Sequence, residues 1–448
     1  MPSALASACM YSMLAESKAP PDLLSDPLSR LVMTMAGPPE TIVMGLERMR
    51  AAMALLGMSD QLPMPLIMVG GTNGKGSTVA CLETLYRQAG YRVAAYTSPH
   101  LWQFTERLRL DAVPAAVAVW TETLEYLATI TRQIALTFFE ITTLAALRMI
   151  LQSKMDVAIL EVGLGGRLDA VNAFSPDCSI VTTVDLDHQD WLGPDRLSIG
   201  REKAGIFRSG VPALYGDAQD PCLSVVEEAE RRTVPLHLLG RDFDYDSAER
   251  IWRGYGQTLR MPTPLWPAPA QWQNLALAFA AIHHLQDRLP VPEVVINHWQ
   301  LRPSLPGRSQ ILRPWGSAGP HLLVDVAHNP QAVKQLAEVL AQYSGRCHAF
   351  VGMLSDKDIP GTLSVLLQRV AVWHVLDMPD TPRAAAAEYL EQCLRTLGAD
   401  QVKIVEHMEE AMDQARIGLM AEDIIVCFGS FHLVKQLPPH WLNETVAH

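Results

Sequence analysis

The chain has 448 residues, 49% of them hydrophobic and 19% charged, a balance that builds packed cores and excludes extended disorder; the length exceeds one ordinary core, so two domains are expected. Lys and Arg number 36 against 48 Asp and Glu, a formal charge of −12. That excludes sequence-independent nucleic-acid binding, which needs a basic face to release phosphate counterions, and leaves anionic ligands to be met by local positive sites.

In chain order, residues 1–25 read as an N-terminal extension. The first strong signal is the apolar run 66–69, which stops at Gly70-Gly-Thr-Asn-Gly-Lys-Gly-Ser77 and resumes as a helical pattern from Thr78 to Arg87, closed by Gly90. A strand, a glycine-rich turn with one lysine and a helix make a phosphate cradle: backbone N–H groups converge, the helix presents its positive end, and Lys75 adds a full charge. Ser77 is then placed to hold Mg²⁺. The spacing departs from the standard P-loop, because Val69 stands five residues before Gly74 and Gly76 separates Lys75 from Ser77. A glycine-rich turn by itself is weak evidence, but the strand before it and the helix after it favour phosphate binding over a tight turn with an incidental lysine.

Further apolar runs at 92–96, 156–161, 178–184 and 212–215 mostly end in glycine, serine or an acid, with helical patterns at Glu140–Gln152 and Asn274–Gln286 between and after them. Alternation of this kind predicts a parallel sheet covered by helices, with its motifs meeting at the carboxyl edge. Residues 241–272 break the rhythm with dense prolines and read as short antiparallel strands and a surface loop. Breaks at 301–308 and 314–320 precede a second α/β unit with strands at 321–325, 347–352, 371–375, 402–405 and 423–428. The expected domains are thus 26–300, a linker 301–308, and 309–448. Seven scattered cysteines without a C-x-x-C pair read as reduced thiols of a cytoplasmic protein, Cys81 and Cys427 as small core residues. No apolar run is long enough to span a bilayer, and Met1–Tyr11 lacks the basic start of a secretory signal.

Ser98, Glu161 and His188 each follow a different strand, so the fold can gather a hydroxyl, a carboxylate and an imidazole beside the P-loop, a set suited to Mg²⁺. His188 reads equally as a ligand or as a structural histidine bonded to Asp185 or Asp187. Lys203, beside Glu202, reads from the residues alone as a helix-surface lysine. Leu136-Thr-Phe-Phe-Glu140 is either a helix-start packing cluster or an aromatic ligand wall.

The loop Gly71–Ser77 resembles that of the Mur ligase superfamily, and within it the folate branch of folylpolyglutamate and dihydrofolate synthases. The likeness continues in family order through Thr97-Ser-Pro-His100, Leu160-Glu-Val-Gly-Leu-Gly-Gly-Arg-Leu-Asp-Ala170, Asp185-Leu-Asp-His-Gln-Asp-Trp-Leu-Gly193, Ile199-Gly-Arg-Glu-Lys-Ala-Gly-Ile-Phe207, Leu305-Pro-Gly-Arg308, Asp325-Val-Ala-His-Asn-Pro330 and Gly429-Ser-Phe-His432. It is strongest to the bifunctional bacterial enzymes. The resemblance implies an N-terminal P-loop ATPase-like domain with a mainly parallel sheet and a smaller Rossmann-like C-terminal domain. It implies an ATP-dependent ligase, acting as a monomer on dihydropteroate, L-glutamate and reduced folates through an acyl phosphate.

By resemblance, ATP is held by Gly71, Thr72, Asn73, Gly74, Lys75, Gly76, Ser77, Asn274, Arg308 and Asp325. Two Mg²⁺ sites involve Ser77, Ser98, Glu161 and His188. Lys75, Lys203 and His328 serve the chemistry, Lys203 as a CO₂-derived carbamate. Thr137, Phe139, Asp169 and Ala170 line the pterin site. Where the family reads Ile-Asp-Leu-Gly-Leu-Glu-Arg, this chain has Ile42-Val-Met-Gly-Leu-Glu-Arg48, so a polar contact near the pterin is missing at Val43. The segment Gly352-Met-Leu-Ser-Asp-Lys-Asp358 also matches and receives no catalytic role. Two other readings stay open: a cell-wall sister ligase, disfavoured because only 69 residues precede Gly70, and a P-loop switch, which lacks the Asn-Lys-x-Asp guanine signature.

Overall fold

The computed structural model describes residues 26–39, 41–218, 220–264, 268–298, 305–381 and 383–442. The expected extension 1–25 and linker positions 301–304 lie outside them. Eight strands form the first sheet: β1 (Leu66–Gly70), β2 (Val93–Tyr96), β3 (Leu108–Leu110), β4 (Val113–Pro114), β5 (Val157–Glu161), β6 (Cys178–Val181), β7 (Ala213–Tyr215) and β8 (Leu236–Leu238). Their order is β4-β3-β2-β5-β1-β6-β7-β8. The six strands from β2 to β8 run parallel, and only β3 and β4 are antiparallel.

Every residue of β1 and β5 is buried, as a sheet covered on both faces requires. Alternation decides the partners. Leu66 and Met68 join the core beneath helices Val117–Thr131 and Phe138–Gln152, whereas Ile67 and Val69 face helices Lys75–Gln88 and Ala270–Leu285. Each such side chain contributes about 1.5–3 kcal/mol by leaving water.

A small antiparallel sheet follows, β9 (Phe243–Asp246), β10 (Ile251–Gly254) and β11 (Gln257–Arg260), where the proline-dense segment led us to expect one. Trp252 fixes it to helix Ala270–Leu285 by donating Nε1–H to the Ala276 carbonyl at 3.2 Å. The third sheet has β12 (Gln310–Leu312), β13 (His321–Val324), β14 (Cys347–Val351), β15 (Val372–Leu376), β16 (Val402–Val405) and β17 (Ile424–Phe428) in the order β12-β13-β17-β14-β15-β16, parallel except for β12. Strands β3, β4, β8 and β12 have two or three residues each, too few for a periodic signal.

Two helices begin earlier than their patterns suggest. Helix Lys75–Gln88 starts at the lysine because Gly74, at φ +87°, ends the turn there, so Lys75 and Ser77 lie in its first turn. Helix Ala270–Leu285 starts behind Pro269, which moves Asn274 into the second turn. Cys81 and Cys427 are buried as expected.

Candidate active site

The carboxyl ends of β1, β2, β5 and β6 open into one cavity of about 500 Å³, closed on its far side by Arg308, Ser309, residues 325–328, Gln335, Lys357 and residues 429–432. The loop after β1 depends on its glycines. Gly71 has φ +138°, and a Cβ there would stand 1.9 Å from Thr182 Oγ1; at Gly74 it would meet Asn274 Oδ1 at 2.5 Å. Only glycine permits both the left-handed turn and this approach. Thr182 and Thr183, which received no role from the sequence, brace the loop: Thr182 Oγ1 donates to the Asn73 carbonyl at 2.5 Å, and the Asn73 N–H donates to Thr183 Oγ1 at 3.1 Å.

Lys75 donates to the carbonyls of Gly71 (3.0 Å) and Thr72 (3.2 Å). Enclosure lowers its pKa, and the charge of Arg308 lowers it further, while Glu161 and Asp187 oppose the shift. Gly76 runs close to Glu161, whose carboxylate accepts from the Ser98 backbone N–H at 3.0 Å. Burial raises the Glu161 pKa, against the charges of Lys75 and Arg308. Asn274 is engaged beneath the loop by Thr78 Oγ1 at 3.3 Å and donates to Gln271 Oε1 at 3.1 Å.

Arg308 comes from the other side and stacks over Phe431 at 4.8 Å. Asp325 accepts from the Ser309 backbone N–H (2.7 Å), Ser309 Oγ (2.9 Å) and the Ala327 N–H (2.8 Å), so Ser309 is a member of the site that the sequence reading missed. His328 pairs Nδ1 with the Val326 carbonyl at 2.8 Å, leaving Nε2 3.5 Å from Asp187 Oδ2.

Ser77, Ser98, Glu161 and His188 line this same cavity. Among the described residues, no three His, Cys, Asp or Glu side chains form a metal-holding group by themselves. One carboxylate, one imidazole and two hydroxyls fit a hard cation that keeps water and phosphate oxygens in its shell, and the enclosed Glu161 charge fits a cation partner. The His188 Nε2 lies 3.8 Å from Asp187, beyond hydrogen-bond length. Desolvation lowers its pKa to about 3, so the ring is neutral and able to ligate.

Lys203 is not a surface lysine. It is 3% exposed, and Glu202 pairs instead with Arg167 at 2.8 Å. Burial, then the Lys75 charge, pulls the Lys203 pKa down to about 7.

The aromatic segment both starts a helix and lines the cavity. Thr137 caps helix Phe138–Gln152 in a reciprocal box with Glu140, which is also ion-paired to Arg48 at 2.9 Å, while Thr137 and Phe139 line the cavity. A Cβ at Gly163 would sit 2.6 Å from Phe139 Cζ. Asp169 lines the cavity beside Ala170, and its carboxylate accepts from the Leu164 N–H at 2.8 Å and the Val171 N–H at 3.0 Å. Burial raises it to about 7. Val43 lines the rim, and its carbonyl accepts from Arg48 at 2.6 Å.

Comparisons with known proteins agree with this geometry. Residues 307–431 match the family described as Mur ligase, glutamate ligase domain. The dihydrofolate synthase/folylpolyglutamate synthase of Escherichia coli is 40% identical over 89% of this chain and 91% of its own, and that of Haemophilus influenzae 31% identical over 88% and 93%. Among solved structures, E. coli FolC with DHPP and ADP superposes with a TM-score of 0.84 at 38% identity, covering 92% of this chain and 97% of that one. The Yersinia pestis bifunctional enzyme with AMPPNP and Mn gives 0.81 at 36%, over 92% and 97%. With 40% identity to a relative over 89% of its length, the chain belongs to the dihydrofolate synthase/folylpolyglutamate synthase family.

Proposed function

We propose that this cavity joins L-glutamate to dihydropteroate and adds further glutamate to reduced folates, using ATP and a divalent metal. The observation that carries the reading is the junction itself: a P-loop from one sheet faces Arg308, Asp325 and His328 from the other across one cavity. A carboxylate and an amine do not condense in water, so the acid is activated as an acyl phosphate by the γ-phosphoryl group of ATP. Lys75 and Arg308 neutralise charge as the phosphoryl group moves. The loop N–H groups of 71–77 hold phosphates, Asn274 and Asp325 face the nucleoside, and Thr137, Phe139, Asp169 and Ala170 hold the pterin end. Ser77, Ser98, Glu161 and His188 are the residues that would hold Mg²⁺, which supplies charge neutralisation when bound.

Lys203 we assign as the carbamate-bearing residue. Carbamylation joins the neutral amine to CO₂ with loss of one proton, and a lysine brought to about 7 has the neutral fraction this needs. His328 stands at the junction to meet the reacting groups. We take residues 26–300 and 309–448 as the working domains, joined at 301–308. The enzyme is proposed to act as a monomer in the cytoplasm: the six described cysteines are unpaired, and exposed apolar side chains such as Leu55, Leu223 and Ile417 lie on separate elements. Among the described residues no helix is long and apolar enough to cross a membrane.

Phosphate release tests the function. It is expected to require dihydropteroate, or a reduced folate, together with glutamate. Hydrolysis of ATP that ignores both acids would overturn the assignment.

A further inference from the structure

Among the described residues, every ion pair that joins 26–298 to 305–442 converges on one side chain, Asp187. Its Oδ1 lies 2.6 Å from Lys357 Nζ, and its Oδ2 lies 3.5 Å from His328 Nε2. The two partners of the short pair are 8% and 5% exposed, so the pair exists only where the two sheets' units have closed over it. Lys357 belongs to the Gly352–Asp358 segment, to which the sequence reading gave no role. Hydrogen bonds between neutral groups also cross the junction: Asn73 Nδ2 donates to Asn329 Oδ1 at 3.1 Å and to Gln331 Oε1 at 2.6 Å, and the Ala270 N–H donates to Gln335 Oε1 at 3.1 Å.

The position of Asp187 gives the contact a consequence. It immediately precedes His188 in the chain and lies at the cavity wall, where its Oδ1 also accepts from the His188 backbone N–H at 2.9 Å, while its two oxygens reach two residues of the opposite unit. His328 is already fixed on its other nitrogen by the Val326 carbonyl, so the carboxylate completes the definition of its ring. A buried pair of this kind is lost when the units part, because Lys357 has no other close acid: the next, Asp356, is 4.0 Å away and lies 3.5 Å from Arg383. Closure and the orientation of His328 are therefore one event.

We propose that Asp187 and Lys357 form the latch of the cleft, a positioning pair that acts on the reaction through His328 and His188 without touching the reacting atoms. The proposal rests on the ligase reading for its kinetic consequence, while the closure itself is measured without turnover. In small-angle scattering with saturating Mg-ADP, the wild type is expected to become more compact, and Asp187→Asn and Lys357→Met each to stay open. Each single variant is expected to lower kcat by about tenfold or more with KM for ATP little changed, and the double variant to be no worse than the poorer single, as coupled residues require. Lys357→Arg is expected to restore closure and most of kcat.

Losses that multiply in the double variant would overturn the latch. So would a Lys357→Met enzyme that closes normally and shows only a raised KM for glutamate, which would make Lys357 a substrate contact. If Asp187→Asn does not fold, the Lys357→Met and Lys357→Arg pair carries the test alone. A wild type that closes on ADP but releases no phosphate with either acid would count against the ligase reading and leave the latch standing.

Discussion

Two lysines of the site are held in opposite ways, and each arrangement is open to measurement. Lys75 is tied only to carbonyls of its own loop, bonds that phosphate oxygens would replace. Lys75→Ala should therefore reduce kcat by roughly 10²–10³-fold, the range for removing one transition-state charge contact, with an unchanged melting temperature. Wild-type turnover in that variant would remove the loop from the mechanism. Lys203 is sealed in, with its pKa brought from 10.5 to about 7. Below about pH 7 its amine is mostly charged and cannot take up CO₂, so activity of CO₂-depleted enzyme should recover with added bicarbonate faster at pH 8 than at pH 6. Lys203→Ala should be inactive and partly rescued by small carboxylates. A recovery rate independent of pH would dismiss the carbamate.

At the level of elements, the turn after β5 and the start of helix Phe138–Gln152 are fitted to each other through one missing side chain. Because a Cβ at Gly163 would press within 2.6 Å of Phe139, Gly163→Ala should displace the ring. The KM for dihydropteroate should then rise roughly two- to tenfold, the worth of an aromatic contact, with KM for ATP unmoved. Steady-state kinetics on both substrates decides it, since parallel changes would place Phe139 in the core alone. In the third sheet, His374 on β15 stacks on Phe350 of β14 at 4.3 Å and 5°, faces Lys403 on β16 in register, and is 4% exposed. Neither ring nitrogen has a partner among the described residues. Desolvation, then His348 and Lys403, brings its pKa to about 4. Since the folded value lies below the unfolded 6.5, the unfolded state binds more protons, and stability present above about 6.5 is lost as pH falls toward 4. The loss approaches roughly 3 kcal/mol at its limit. Urea titrations at pH 7.5 and 4.5 should show His374→Phe losing less stability than wild type, and an equal loss would clear this histidine.

For the whole molecule, one cavity holds the P-loop, Phe139 and the opposing Arg308 together, so both acids are expected to use the same place. Dihydropteroate and a reduced folate should inhibit each other's glutamylation competitively, each with an inhibition constant near its own KM. Noncompetitive inhibition would require a second site. The junction around that cavity is polar rather than sealed by a common core: the four apolar clusters fall largely within one unit or the other, with Ala268, Leu101, Trp102 and Leu305 as the crossings. That composition suits a cleft that opens and closes.

The sequence by itself determined the parallel strands, because β1 and β5 are continuous apolar runs that no amphipathic alternative explains, and it determined the glycine-rich loop between β1 and its helix, because Gly71 and Gly74 are legible as turn residues wherever they occur. It also marked Ser98, Glu161, Asp325 and His328 through their place after strands and the motifs around them. It could not find β3, β4, β8 and β12, whose two or three residues carry no period and exist only as neighbours of longer strands. The residues around Lys203 alone suggested a surface lysine, and only the motif's family likeness pointed to the site, since burial depends on what packs over a helix and not on the helix's own residues. It left Lys357 without a role because the meaning of that residue lies in Asp187, 170 positions away in the chain and 2.6 Å away in space. Local pattern sets which groups the chain offers at each strand end, and only the docking of two separately folded sheets decides which charges are shut away from water together.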